Sequence, residues 1–117
     1  MNLKKHEKDI VKSWRKKFKK KYTNEQLLKA IEYHRLSDHH KTQLETSEKC
    51  GCFYCKEIFN PKEIESWCDE ADAEECTAIC PYCNIDSILP ESSLNELGAK
   101  LDKKLLKFMS ELWFSTI

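Results

Sequence analysis

Two cysteine pairs limit what this chain can fold into more than any other feature does. The segments Cys-Phe-Tyr-Cys at 52–55 and Cys-Pro-Tyr-Cys at 80–83 are C-x-x-C pairs separated by 24 residues. Each pair can bend its backbone around one ion, and two pairs supply the four thiolates of a tetrahedral structural site. The spacing therefore predicts bound zinc, with these ligands: Cys52, Cys55, Cys80 and Cys83.

Iron is the alternative metal, because rubredoxin-like sites use similar cysteine pairs. Such sites often place a glycine directly after the second cysteine of a pair. Lys56 and Asn84 occupy those positions here. Asparagine tolerates the left-handed backbone conformation, whereas lysine adopts it less readily. This departure favours zinc over iron.

The number of cysteines indicates a reducing compartment. The chain has seven, an odd number that fits poorly with a complete disulfide framework. Its first residues carry lysines with no hydrophobic stretch behind them, so we expect no secretory signal. No apolar run approaches the length that spans a bilayer. We therefore expect a cytoplasmic protein whose thiols bind metal.

Three cysteines lie outside the two pairs. Cys50 stands two residues before Cys52 and could replace it as a ligand. A second metal site would need Cys50, Cys68 and Cys76 together with histidines, in a spacing that matches no known unit. We expect them to be free thiols.

Hydrophobic periodicity predicts an α-rich α+β fold in a single domain over residues 1–117. Residues 1–49 form a helical part, with a basic helix at 1–22 and a second helix that a Thr23/Gln26 capping box starts. Residues 50–90 form the zinc module, a zinc ribbon or a pair of zinc knuckles with short strands. Residues 91–117 form a C-terminal amphipathic helix. We expect one joint core of aromatic residues: Trp14, Phe18, Trp67, Phe108 and Trp113.

Local patterns refine the zinc module. The segment 60–63 has the features of a short helix start, and this helix would carry Ile64 and Trp67 inward. Residues 77–79 and 85–89 are typical of short strands. A Ser93/Glu96 capping box predicts where the C-terminal helix begins.

The metal half of the chain also resembles a known family. The residues that carry the resemblance are Cys50-Gly51-Cys52-Phe53-Tyr54-Cys55, Ile58-Phe59, Pro61, Glu63-Ile64, Trp67, Cys80-Pro81-Tyr82-Cys83-Asn84-Ile85-Asp86-Ser87 and Trp113-Phe114. This pattern is similar to that of a family of small, uncharacterised bacterial cytoplasmic zinc-ribbon proteins, and it covers about residues 37–117. The family usually has glycine where Asn84 stands. The resemblance implies zinc at the four paired cysteines and a cytoplasmic location, and it implies no activity.

The net charge of zero conceals two charged regions. Residues 1–22 hold ten basic residues against two carboxylates, and the rest of the chain holds ten basic residues against eighteen. Eight carboxylates lie between Glu57 and Glu75, with Lys62 the one basic residue among them. Such segregation indicates a basic arm that seeks an anionic surface, or two regions that attract each other.

An enzyme is the least supported functional class. HNH nucleases combine two C-x-x-C pairs with a catalytic histidine between the pairs, but His39 and His40 precede both pairs. A thiol nucleophile would need a partner histidine, and none is evident in the sequence. The two glycines are too few for phosphate-binding loops.

The sequence thus predicts a zinc-stabilised binding module with a protein partner or with self-association. The contact surface would be the acidic face of the zinc module or a groove between helices. The alternative is nucleic-acid binding by residues 12–22, where Trp14, Phe18 and Tyr22 would stack on bases. The basic residues of that helix are Lys12, Arg15, Lys16, Lys17, Lys19, Lys20 and Lys21.

Overall fold

The computed structural model describes residues 2–68 and 76–115, which form an α-rich α+β fold. The helices are α1 (Lys5–Phe18), α2 (Asn24–His34), α3 (Lys41–Glu45), α4 (Glu91–Glu96) and α5 (Lys103–Phe114). The strands are β1 (Cys50–Cys52), β2 (Ile58–Phe59), β3 (Ser66–Cys68), β4 (Thr77–Ile79) and β5 (Ile88–Pro90), and short 3₁₀ turns span Arg35–Ser37 and Pro61–Glu63. Within the described ranges, no helix has both the length and the apolar composition that crossing a membrane requires.

Two polar contacts fix the N-terminal helices. The predicted capping box is confirmed, since Thr23 Oγ1 accepts from the Gln26 amide at 3.1 Å and Gln26 Oε1 accepts from the Thr23 amide at 2.8 Å. Arg35 donates to both carboxylate oxygens of the buried Glu7, at 2.6 and 3.0 Å. This bidentate pair ties the first turn of α1 to the end of α2.

The central strand β1 separates two packed regions. It lies antiparallel between β2 and β5, and its register aligns Gly51 with Ile58 and with Leu89. Ile58 and Leu89 pack with the helices, whereas Cys50 and Cys52 belong to a second cluster. Successive strand residues point to opposite faces of a sheet. One face of β1 therefore packs against the helices, and the other face carries Cys50 and Cys52.

The described residues thus build two core clusters rather than the single joint core that the sequence predicted. Trp14 is buried in the helical cluster, and Phe18, Phe108 and Trp113 pack against it. Trp67 packs against the second cluster. The second cluster comprises Leu44, Cys50, Cys52, Phe59, Ile64, Ala78, Cys80 and Ile88.

The prediction of one continuous C-terminal helix was wrong. Helix α4 ends in a Schellman motif, in which the Gly98 amide donates to Asn95 O at 3.0 Å and the Ala99 amide donates to Leu94 O at 2.9 Å. Gly98 has φ 75°, a conformation that glycine adopts without strain. The apolar stripe continues on both sides of this break, so periodicity alone does not reveal it.

Other element boundaries also differ from the sequence predictions. The predicted short helix is the 3₁₀ turn Pro61–Glu63, and Trp67 lies beyond it in β3. The strand Thr77–Ile79 is confirmed, but β5 begins at Ile88 because residue 85 belongs to the second cysteine turn. The Ser93/Glu96 capping box is absent from the described residues, since α4 begins at Glu91.

Replacing Gly98 by alanine should destabilise the protein by about 1 kcal/mol, because an L-residue is strained at this positive φ. No atom lies within 4 Å of the added methyl group, so the cost reports backbone strain and not a clash. Gly98→Asn is the matched control and should cost less, because asparagine tolerates the left-handed region. Urea unfolding of the three proteins measures the difference, and an equal cost for both variants would contradict this explanation.

Candidate metal centre

The four paired cysteines meet in one cluster at the edge of the second core. Their Sγ atoms all lie within 4.8 Å of one another, with Cys52 and Cys83 3.6 Å apart and Cys55 and Cys80 3.7 Å apart. A tetrahedral ion with metal–sulfur bonds of about 2.3 Å separates its ligand sulfurs by roughly 3.8 Å. A disulfide bond is far shorter, about 2.05 Å, and all four thiols are free. The donor set therefore fits a single tetrahedral metal ion.

Two turns with the same hydrogen bonds hold these cysteines: knuckle 1 (52–56) and knuckle 2 (80–84). In each, the first cysteine's amide donates to the carbonyl five residues later, and the residue after the second cysteine donates back to the first cysteine's carbonyl. The N–O distances are 3.0 Å for Cys52–Glu57, 3.0 Å for Cys80–Ile85, 2.7 Å for Lys56–Cys52 and 2.9 Å for Asn84–Cys80. The site is therefore two copies of one turn that face each other.

The residue after each pair adopts the left-handed conformation. Lys56 has φ 66° and Asn84 has φ 63°. Both positions often carry glycine in such sites, and the structure shows why, since each turn requires positive φ there. Lys56 bears the greater strain, because asparagine adopts the left-handed region more readily than lysine does.

Burial opposes ionisation of the thiols in the absence of a cation. It raises the pKa of Cys52 above its usual range and raises that of Cys80 to about 11. Backbone amides in the knuckles donate to these sulfurs and act in the opposite direction, as the Tyr82 amide does to Cys80 Sγ at 3.4 Å. A divalent cation stabilises the thiolates, and its binding would release protons.

The other three cysteines lie outside the cluster. Cys50 is fully buried on the strand face of Cys52, and its thiol donates to Phe59 O at 3.6 Å. Burial raises its pKa to about 12, so it stays protonated at neutral pH. Cys68 lies in β3 and Cys76 precedes β4. Cys50 is therefore an apolar core residue. The sequence left open whether Cys50 or Cys52 is the ligand, and Cys52 is the one that lies in the cluster.

His40 is buried and links two backbone groups by hydrogen bonds, a role that sequence reasoning missed. The Ala78 amide donates to its Nε2 at 3.0 Å, and its Nδ1 lies 2.8 Å from Leu36 O. Because an amide can only donate, Nε2 is the acceptor and Nδ1 carries the proton. Both ring nitrogens are thus occupied, which removes His40 as a catalytic base of the HNH type. No local sequence pattern signals the contact with Ala78, which lies 38 positions further along the chain.

His39 is exposed at φ 47°, with its ring 3.5 Å from the Asp38 carboxylate. Its amide donates to Thr77 Oγ1 at 2.8 Å. Neither His39 nor His40 joins the cysteines, the one candidate ligand group that the described residues contain.

The aromatic residues of the basic helix are engaged in packing. Trp14 is buried and donates from Nε1 to Leu112 O at 3.0 Å. Tyr22 packs edge-to-face on Phe18 and on Phe108. The hypothesis that Trp14, Phe18 and Tyr22 stack on bases is therefore not supported, although the lysines of this segment are exposed.

Comparisons with protein-family models, with curated proteins and with solved structures returned no match to this chain. The family resemblance noted above thus stays a prediction. The predicted acidic face of the zinc module likewise stays a prediction in part, because its residues 69–75 lie outside the described residues.

Replacing Cys83 by serine should abolish metal binding and lower the melting temperature, because three thiolates do not complete the tetrahedral site. Cys50→Ala is the control, since it removes a buried thiol outside the cluster and should keep the metal content. Elemental analysis and thermal melting measure both effects. Metal retention by Cys83→Ser, or its loss from Cys50→Ala, would contradict the ligand assignment.

Acidification should destabilise the fold through two histidines, the buried His40 and the half-buried His34. Burial lowers the pKa of His34 and that of His40, so the folded protein binds their protons less readily than the unfolded chain does. Their stabilising effect is complete above about pH 6.5, the unfolded-state pKa, and declines as the pH falls toward the lower folded-state values. His40→Gln should therefore show a smaller loss of unfolding free energy between about pH 7.5 and about pH 5.5. Urea unfolding at constant metal content tests this, and an unchanged pH dependence would contradict it.

Proposed function

We propose that the chain is a zinc-stabilised cytoplasmic binding module that contacts a protein partner. The observation that carries the proposal is the cluster of four thiols at tetrahedral spacing. Four protein ligands complete the coordination of zinc, as in structural sites, whereas catalytic zinc keeps a position open for water or substrate. This ligand set therefore supports a structural metal.

The size of the second core supports the need for such a metal. Its strands have only two or three residues each, and strands this short are not stable by themselves. Structural zinc contributes on the order of 10–16 kcal/mol of apparent binding free energy to the folded state. Zinc at the cluster would hold both knuckles and, through Cys52 in β1, the three-stranded sheet.

A groove between α2 and α5 is the surface that best suits a protein partner. Its volume is about 420 Å³, and Tyr33, Leu105 and Phe108 are among the residues that line it. The groove also contains three lysines, at 29, 100 and 104, and two carboxylates. One of these, Asp102, is engaged as the helix cap of α5, accepting from the Leu105 amide at 2.8 Å. Lys29 Nζ lies 3.8 Å from Glu32 Oε1, so Lys100 and Lys104 supply the accessible positive charge of the groove. These two lysines beside apolar side chains favour a protein segment with acidic residues beside apolar ones.

The metal half of the proposal predicts one zinc per chain. A chelator under reducing conditions should remove it and abolish the cooperative melting transition of the second core, because the thiols alone do not hold the knuckles together. Elemental analysis and calorimetry provide the measurement. A red iron-bound protein, or a metal-free protein with unchanged melting, would contradict it.

The partner half can be tested by photo-crosslinking. A photoreactive residue at position 104 should give a discrete protein adduct in the native cell, whereas one at position 62, outside the groove, should not. Mass spectrometry should map the adduct to an acidic segment of the partner. The double variant Lys100→Glu/Lys104→Glu should abolish the adduct while keeping its zinc. An adduct that survives this charge reversal would contradict the assignment of the groove.

A further inference from the structure

We propose a second binding surface, a basic basin beside knuckle 1 that takes single-stranded nucleic acid. The basin is an open hollow of about 520 Å³ on the side of α5 that does not face the α2–α5 groove. Its lining residues are Lys56, Lys107, Ser110, Glu111, Phe114 and Ser115. It combines a positive rim with an exposed aromatic ring, the two features that bind unpaired strands without sequence preference.

Three further lysines reach this lining. Lys17 Nζ donates to Ser115 O at 2.8 Å, and Lys103 Nζ donates to Lys56 O. Lys21 Nζ lies 2.5 Å from Glu111 Oε1. Both Lys17 and Lys103 contact neutral carbonyls, so they retain their full charge.

Glu111 is the one carboxylate among the basin residues described, and it is already neutralised. Hydrogen bonds from Lys21 and from Tyr22 lower its pKa, and the Tyr22 hydroxyl donates to it at 2.5 Å. Beside the Lys21–Glu111 pair, the basin therefore presents four ammonium groups, which gives a positive local potential.

Tyr54 supplies the aromatic ring. It is the second inner residue of knuckle 1, and 46% of its surface is exposed. Its ring packs edge-to-face on Phe114 at 4.8 Å, which fixes its position at the border of the basin. A ring that is held in place and still exposed can stack on a base with little loss of entropy. This ring, and not the packed rings of α1, is the stacking site.

The nature of the charges favours nucleic acid over an acidic peptide. Unlike the α2–α5 groove, which also offers Tyr33, Leu105 and Phe108, the basin has Phe114 as the one apolar residue among its described lining residues. A peptide would therefore gain little there beyond exposed lysine–carboxylate pairs, which contribute little because both groups are well solvated and screened by salt. A nucleic acid carries condensed counterions, and each lysine that neutralises a phosphate releases some of them. A surface with several exposed lysines beside an exposed ring therefore suits a flexible polyanion with flat bases.

This inference depends on the proposed metal site only through the positions of Tyr54 and Lys56, which both belong to knuckle 1. Lys103 and Lys107 belong to α5, outside both knuckles. Variants in knuckle 1 and variants in α5 therefore distinguish a failure of the nucleic-acid surface from a failure of the metal-bound fold. The zinc content of each variant shows which has failed.

Fluorescence anisotropy with labelled dT and rU oligomers of about ten nucleotides tests the proposal on the zinc-bound protein. Three phosphate contacts predict that affinity falls about twentyfold between about 50 and 200 mM salt. Lys103→Gln/Lys107→Gln should weaken binding and make this salt dependence shallower. Lys62→Gln, an exposed lysine outside the basin, is the charge control and should bind as the unaltered protein does.

The two knuckle tyrosines provide a matched pair for stacking. Tyr54→Ala should weaken binding about tenfold, and Tyr54→Phe should restore it. Tyr82→Ala should have no effect, because Tyr82 is the equivalent residue of knuckle 2, is 55% exposed and lies outside the basin.

Three outcomes would overturn the proposal. The first is an affinity that does not change with salt, and the second is an equal effect of Tyr54→Ala and Tyr82→Ala. The third is a poly-glutamate peptide of matched length that binds as tightly as the oligomers and is insensitive to Tyr54→Ala, which would identify the basin as a site for acidic proteins. If Tyr54→Ala loses its zinc, the α5 double variant decides, and unchanged binding by that variant would reject the basin.

Discussion

The meeting of four thiols from two turns, one of which continues strand β1, is the constraint on which the rest of the structure depends. Cys50 and Cys52 point into the metal-side cluster, while Gly51 between them faces the helices. A methyl group on Gly51 would lie 2.8 Å from Leu101 Cδ1, so the helices approach this strand as closely as its backbone allows. A metal ion that fixes Cys52 would therefore fix β1, and β1 is the surface on which the helical core packs.

The segregation of charge acquires a structural meaning once the chain is folded. The lysines at the end of α1 converge with those of α5 and with Lys56 from knuckle 1, although these segments are distant in the sequence. The one acidic residue among them, Glu111, is paired with Lys21. Lys17 and Lys21 of the N-terminal segment thus belong to a composite surface, which makes the zero net charge a poor guide to what the surface binds.

The sequence predicted those parts of the fold that depend on neighbouring residues. The Thr23/Gln26 capping box and the strand Thr77–Ile79 are local patterns, and both are confirmed. The break at Gly98 was missed because the apolar stripe continues on both sides of it. Strand β1 was missed because two cysteines and a glycine carry no strand pattern. Its pairing with Ile88 of β5 also joins segments that are distant in the sequence.

By itself, the sequence determined the four thiols and their division into two pairs, because a C-x-x-C turn depends on local backbone geometry alone. Only the tertiary structure decided what surrounds them. It paired His40 with the Ala78 amide, it left Tyr54 exposed against Phe114, and it packed Trp14 into the core beside Leu112. These outcomes depend on contacts between residues tens of positions apart, and residue type and periodicity do not encode which distant residues will meet.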